Sequence, residues 1–272
     1  MMSAPDYQNP WVEIEPERLA AYDELFAWNP ATAPLLAAAD IGKGHVVADF
    51  GCGPGHMAVE LAEWVGPTGH VHAFDINAEF LALTLDKATA RGVEGRVTLH
   101  QSDGYALSLP DHSLDRVVTR NTLVFADEPE AIFKEFRRVL KRGGKAHAIE
   151  GDWLLMAVEP VPTADWHAFV EAASHACRLP DIGRKLYGIA RRAGFGNVAI
   201  DVVSKPDTTG RLMPMIRNMA DYARLGGLDA ARIEALLAAC ETAIARGEFL
   251  AVAPQFVVTA SDGPAAPTGH WM

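Results

Sequence analysis

The 272-residue chain is poor in cysteine, has no excess of basic residues and contains no long apolar run. Its three cysteines, Cys52, Cys177 and Cys240, are odd in number and lack metal-ligand spacing, which excludes a disulfide framework. Reduced thiols and a cytoplasmic location are the expectation that follows. No apolar stretch approaches the ~18 residues of a membrane span, so membrane insertion is not expected. The N-terminal stretch carries acids and no apolar core, unlike a secretory signal. Against 24 Lys and Arg stand 35 Asp and Glu, a net charge of −11. Such a chain is a poor partner for nucleic acid, whose phosphates demand Lys and Arg, or for an anionic membrane surface. Ten histidines are present, but no H-x-x-x-H helix carries an interior Glu. His70-x-His72 could set two imidazoles on one strand face without an evident third ligand, so no metal is expected.

What is there is ordinary in amount and regular in order. The chain is 49% apolar and 22% charged, long enough for a core without staples. Residues 13–40 read as two short helices broken at Asn29-Pro30. From His45 an alternation begins: strands at 45–50, 71–75, 96–101, 114–119 and 145–150, with helices at 55–65, 80–91 and 130–140. Strands alternating with helices of this length imply right-handed βαβ units and a parallel sheet. The second half has helices capped near Thr163 and Asp181, a sixth strand at 197–204 and a seventh at 249–259. Amphipathic helices at 211–225 and 229–246 lie between the last two strands. This gives N-terminal cap helices over 1–40, a core over 41–205 and 248–260, a helical lid inserted at 206–247, and a flexible tail at 261–272. Met213, Met215 and Met219 in the lid suit either a helix core or a pliable substrate wall.

A parallel sheet of this kind binds ligands beyond the carboxyl ends of its strands. The glycine loop Gly51-Cys52-Gly53-Pro54-Gly55 follows the first strand and opens a helix, spaced G-x-G-x-G. A dinucleotide loop would place its third glycine at His56, so the pyrophosphate contact is missing. The second strand ends in Asp75, an acid that can accept both hydroxyls of a ribose. Ser102-Asp103-Gly104 follows the third strand, and Asp103 can accept an exocyclic adenine amine or close an Asx turn. Together these describe a nucleoside site without a pyrophosphate.

These segments resemble the class I S-adenosylmethionine-dependent methyltransferases, in particular the branch of ubiquinone/menaquinone-biosynthesis and related small-molecule enzymes. VVADFGCGPG at 46–55 is similar to the first family motif and VHAFDIN at 71–77 to the second. QSDGYALSLPDHSLDRVVTRN at 101–121 and EFRRVLKRGGKAHAIE at 135–150 are similar to the stretches around strands four and five. The resemblance implies an α/β Rossmann-like, seven-stranded, mostly parallel sheet with an antiparallel last strand. It implies S-adenosylmethionine as cofactor and a small-molecule acceptor, and is compatible with a homodimer. It places Asp49 and Gly51 near the methionine amine, with Gly53 and Gly55 leaving room for the cofactor. Asp75 takes the ribose position, Ile76 the adenine-stacking position, and Ser102, Asp103 and Gly104 the adenine edge. Arg120 or Asn121 would offer a backbone carbonyl to the amine. Arg142 replaces a usual proline, and Val124 and Phe125 stand where many relatives carry histidine, so no histidine base is expected there.

On the acceptor side the candidates are Tyr22, from an N-terminal helix, and Glu150 and Asp152, just past strand five. Each has a plainer reading: a packed aromatic for Tyr22, solvated loop acids for the other two. The cofactor would supply an activated methyl group, and the protein alignment, apolar walls and a base where one is needed. Two alternatives stay open at this point: the same cofactor used for non-methyl chemistry, and a nicotinamide-dependent oxidoreductase on a similar sheet.

Overall fold

The structure is a computed structural model that describes residues 11, 14, 16–174 and 177–263. From residue 264 onward the expected tail lies outside the described residues, as do 1–10, 12, 13 and 15 of the expected N-terminal cap. The first half alternates as its hydrophobic pattern requires: β1 (Val46–Phe50), α2 (His56–Val65), β2 (His70–Asp75), α3 (Ala78–Ala90), β3 (Val97–Gln101), β4 (Leu114–Arg120), α4 (Pro129–Val139) and β5 (Leu140–Gly151). Ahead of them lie α1 (Pro16–Leu25) and a 3-10 segment, Pro30–Ala39. Asn29 caps that segment by accepting from the Ala31 N–H. The second expected N-terminal helix is therefore 3-10, with Pro30 at its start and Pro34 inside it. After β5 come β6 (Ala157–Glu159), α5 (Thr163–Ala173), α6 (Ile182–Arg192), β7 (Asn197–Val203), α7 (Met213–Leu225), α8 (Ala230–Arg246), β8 (Leu250–Val252) and β9 (Gln255–Ser261).

The main sheet has seven strands in the order β3-β2-β1-β4-β5-β9-β7, parallel except for β9, which runs antiparallel to both neighbours. The order reverses between β1 and β4, and a doubly wound sheet opens its ligand crevice at such a switch. Helices cover both faces of the sheet. Phe133, Phe136, Ile182 and Leu186 pack on one side, and Leu61, Val65 and Leu36 on the other. Instead of one strand over 249–259, the chain divides at Ala253-Pro254. β8 leaves the main sheet and pairs with β6, and only β9 stays in it. A three-residue strand such as β6 carries too little alternation to be read in advance. This small sheet packs with α5, α7 and α8 around Trp166, Phe169, Met213, Ile216, Met219 and Ile233 in a second apolar cluster. Met213 and Met219 are buried in it, so they serve as helix core and not as a substrate wall.

Candidate active site

The glycine loop turns at the end of β1 through left-handed backbone at Gly51 (φ +73°) and Gly53 (φ +53°). A Cβ at Gly51 would collide with the Thr122 side chain, so strand β1 and the turn after β4 can approach this closely only with glycine there. A Cβ at Gly53 would meet nothing within 4 Å, because that side faces open space. The Gly53 N–H donates to Asp75 Oδ2 (2.8 Å), and the Asn77 N–H donates to Asp75 Oδ1 (2.9 Å). The carboxyl of Asp75 is thereby fixed at the end of β2 with lone pairs to spare. Burial raises its pKa, and those N–H groups pull it back.

These residues line a cleft of about 1230 Å³, open mouth included, across the ends of β1, β2, β3 and β4. Gly51, Gly53, Asp75, Ile76, Ser102, Asp103, Gly104, Arg120 and Asn121 all border it, so the structure brings together nine of the eleven cofactor candidates. Asp103 forms the Asx turn: its Oδ1 accepts from the Tyr105 and Ala106 N–H groups at 2.9 Å each. Those two bonds, Ala106 first, hold its pKa below the usual range. Ser102 Oγ accepts from the Gly104 N–H (3.2 Å). Asn121 sits in the left-handed region at φ +53°.

Two candidates stand behind the surface. Gly55 packs against Thr84 beneath the loop. Asp49 is fully buried on β1, and neither carboxylate oxygen has a hydrogen-bond partner among the described residues. Burial and then repulsion from Asp75 push its pKa up to about 8, against the attraction of the Arg120 guanidinium. Arg120 borders the cleft, and its buried Nε is likewise without a partner among the described residues. A buried carboxyl left unsatisfied is costly unless a polar group comes to it, and the Asp49 oxygens have no such partner among the described residues.

None of the three acceptor-side candidates borders the cleft. Tyr22 is buried and its hydroxyl pairs with that of Tyr222 at 2.7 Å. Asp152, at 1% exposure, is gripped by both Nε and Nη2 of Arg184. Glu150 is equally buried, and its Oε1 accepts from the Thr122 (2.8 Å) and Leu123 (2.7 Å) N–H groups. The two acids are thus not solvated loop residues. The other cleft walls come from residues that sequence reasoning did not select: Trp11, Phe26, Trp28, Phe80, Tyr105, Thr122 and Phe125. They come from several stretches distant in sequence, and Trp11 meets Phe125 with ring centroids 4.5 Å apart. His56 also borders the cleft, its Nε2 held by Asp23 Oδ1 at 2.7 Å. Among the described residues, none of 206–247 lines the cleft, because the methionines there face the second cluster. Among the same residues no group of three His, Cys, Asp or Glu side chains could hold a metal.

Fold and cleft together define a doubly wound α/β protein with a nucleoside-type site at its switch point. Comparison with known proteins sharpens the class. Residues 47–144 match the family described as a methyltransferase domain. The chain is 35% identical over 140 residues to the ubiquinone/menaquinone biosynthesis C-methyltransferase UbiE of Xanthomonas campestris, covering 50% of this chain and 53% of that protein. With the protein of the same name from Cupriavidus pinatubonensis it is 31% identical over 183 residues, 66% of this chain and 70% of the relative. Several curated relatives are thus matched over only about half their length. Among solved structures, phosphoethanolamine N-methyltransferase 2 of Haemonchus contortus shares the fold, with a TM-score of 0.63, 18% identity, and coverage of 97% of this chain and 61% of that one. The chain belongs to the class I S-adenosylmethionine-dependent methyltransferases. That membership sets aside the nicotinamide alternative.

Proposed function

We propose that this protein transfers a methyl group from S-adenosylmethionine to a small, partly apolar acceptor. The observation that carries the reading is the buried, unpartnered carboxyl of Asp49 behind a glycine loop whose Gly53 opens onto the cleft. The residues fit the cofactor. Asp49 and the backbone carbonyls of Arg120 or Asn121 suit its ammonium group. Asp75, with spare lone pairs, suits two ribose hydroxyls. Ile76 provides an apolar face for adenine, and Asp103 keeps Oδ2 for an exocyclic amine. When bound, the cofactor supplies a methyl carbon activated by a sulfonium.

The chain's own residues then do three things. The acids and carbonyls hold the cationic end in a low-dielectric site, where such attractions are stronger than in water. Trp11, Phe80 and Phe125 exclude water and offer flat apolar walls to the acceptor. An acceptor would lie against these walls, in line with the methyl group. No titratable side chain stands at the Phe125 position, while His56 and Tyr105 border the cleft elsewhere.

Calorimetry with S-adenosylmethionine and with NADH tests the cofactor. Asp75→Ala should weaken S-adenosylmethionine about 100-fold or more, the loss of two hydrogen bonds to a charged group. Binding of NADH with indifference to S-adenosylmethionine would remove the proposal. A methyl-transfer screen over phenols, quinols, amines and enols would then identify the acceptor.

A further inference from the structure

We propose that Glu150 is a positioning residue: its carboxyl clamps the turn after β4 in the shape that presents Arg120, Asn121 and Thr122 to the cofactor's amino-acid arm. This rests on the reading of the cleft as a cofactor site. Glu150 is 1% exposed and does not border the cleft, so it has no line to an acceptor proton. Its Oε1 instead receives two consecutive backbone N–H groups, those of Thr122 and Leu123. Carboxylate bonds to backbone N–H are among the stronger hydrogen bonds a protein makes.

The turn it holds needs holding. Asn121 occupies the left-handed region, which a residue with a Cβ rarely adopts and which persists only where the surroundings over-determine it. β5 supplies two successive clamps. The Ile149 carbonyl takes the Asn121 N–H (3.0 Å), and the Glu150 carboxyl takes the next two N–H groups. Thr122 passes the position on, because its hydroxyl lies 3.3 Å from the Gly51 carbonyl and 3.1 Å from that of Arg120. One acid at the end of β5 thereby sets the register between the β4 turn and the glycine loop. Burial pushes the Glu150 pKa up to about 7 and the backbone N–H groups oppose it, as expected of a carboxyl placed for its acceptor oxygen.

The test compares affinities for S-adenosylhomocysteine and for 5′-methylthioadenosine, which lacks the amino-acid arm, in the wild-type protein, Glu150→Ala and Glu150→Gln. The ratio of the two dissociation constants isolates the arm. Glu150→Ala should shrink the wild-type preference for S-adenosylhomocysteine about tenfold or more, with methylthioadenosine binding within about threefold of wild type. Glu150→Gln keeps an acceptor oxygen for both N–H groups and should restore the preference to within about threefold. An unchanged ratio in Glu150→Ala overturns the proposal, and so does a Gln variant as poor as the Ala variant. Should Glu150→Ala fail to fold, Glu150→Asp, one methylene short of the turn, takes its place with the same expected direction. A wild-type protein that binds neither nucleoside overturns the cofactor reading itself, a separate result.

Discussion

Asp49 is held in an unusual state for an aspartate. Burial keeps its carboxyl protonated until about pH 8, and no protein group among those described satisfies it. A cofactor ammonium placed beside it would favour the ionised form. Binding below pH 8 should therefore expel a proton, and affinity should rise as pH climbs toward 8. Calorimetry of S-adenosylhomocysteine in buffers of differing ionisation heat reads that proton directly. Asp49→Asn should abolish the release and weaken binding about tenfold, whereas a buffer-independent enthalpy in the wild type would contradict the placement of the ammonium. The Asp49–Gly55 run and Asp75 were legible in sequence because each follows a strand whose end is marked by its own apolar run. Glu150 and Asp152 were legible as residues but not as roles. Only the fold shows that one is buried under the β4 turn and the other under Arg184.

At the scale of elements, α1 and α7 lie 200 residues apart and meet through the Tyr22 and Tyr222 hydroxyls. Trp11 leans on both rings, at 5.1 and 6.5 Å between centroids, and Trp153 stacks on Tyr222. Either substitution breaks the shared bond, leaving the Tyr22 hydroxyl with Arg18 Nη2 (3.0 Å) or the Tyr222 hydroxyl with Asn218, and the second substitution has no shared bond left to break. Tyr22→Phe or Tyr222→Phe should each cost about 1 kcal/mol in urea unfolding, and the double variant should cost less than the sum. Strict additivity would mean that the pair does not couple the two helices. Both helices were visible in sequence, α7 from its amphipathic pattern and α1 as a short helix ahead of the Asn29-Pro30 break. Their meeting was not, since nothing local ties Tyr22 to Tyr222. The β6–β8 pair was missed for the related reason that two three-residue strands carry almost no pattern of their own.

For the whole molecule, acid sensitivity has one contributor in the buried His147, beside His72, which burial also holds down at about 4. The His147 ring bonds the Thr259 hydroxyl and the Leu35 carbonyl, both at 2.8 Å, joining β5, β9 and the 3-10 segment. Burial holds its pKa down at about 4 against ~6.5 unfolded. The unfolded chain therefore binds a proton first as pH falls, and stability is lost between about 6.5 and 4. The loss from this residue between pH 7 and pH 5 is about 2 kcal/mol. Asp49 and Glu150 act in the opposite sense, since their raised pKa values favour the folded form as pH falls. The difference between wild type and His147→Gln isolates the histidine. Urea unfolding at both pH values should show a shallower acid loss in the variant, and equal slopes would exclude it as a determinant.

The sequence by itself determined the alternation of strands and helices, the glycine loop and the acids at the strand ends. Each is written within a few consecutive residues, where periodicity and backbone chemistry act locally. The tertiary structure alone decided which aromatic residues wall the cleft, that the methionines of α7 are core, and that the acid ending β5 is buried under a turn 28 residues earlier. These depend on packing between distant segments, and burial and pairing of that kind are set by the three-dimensional neighbourhood.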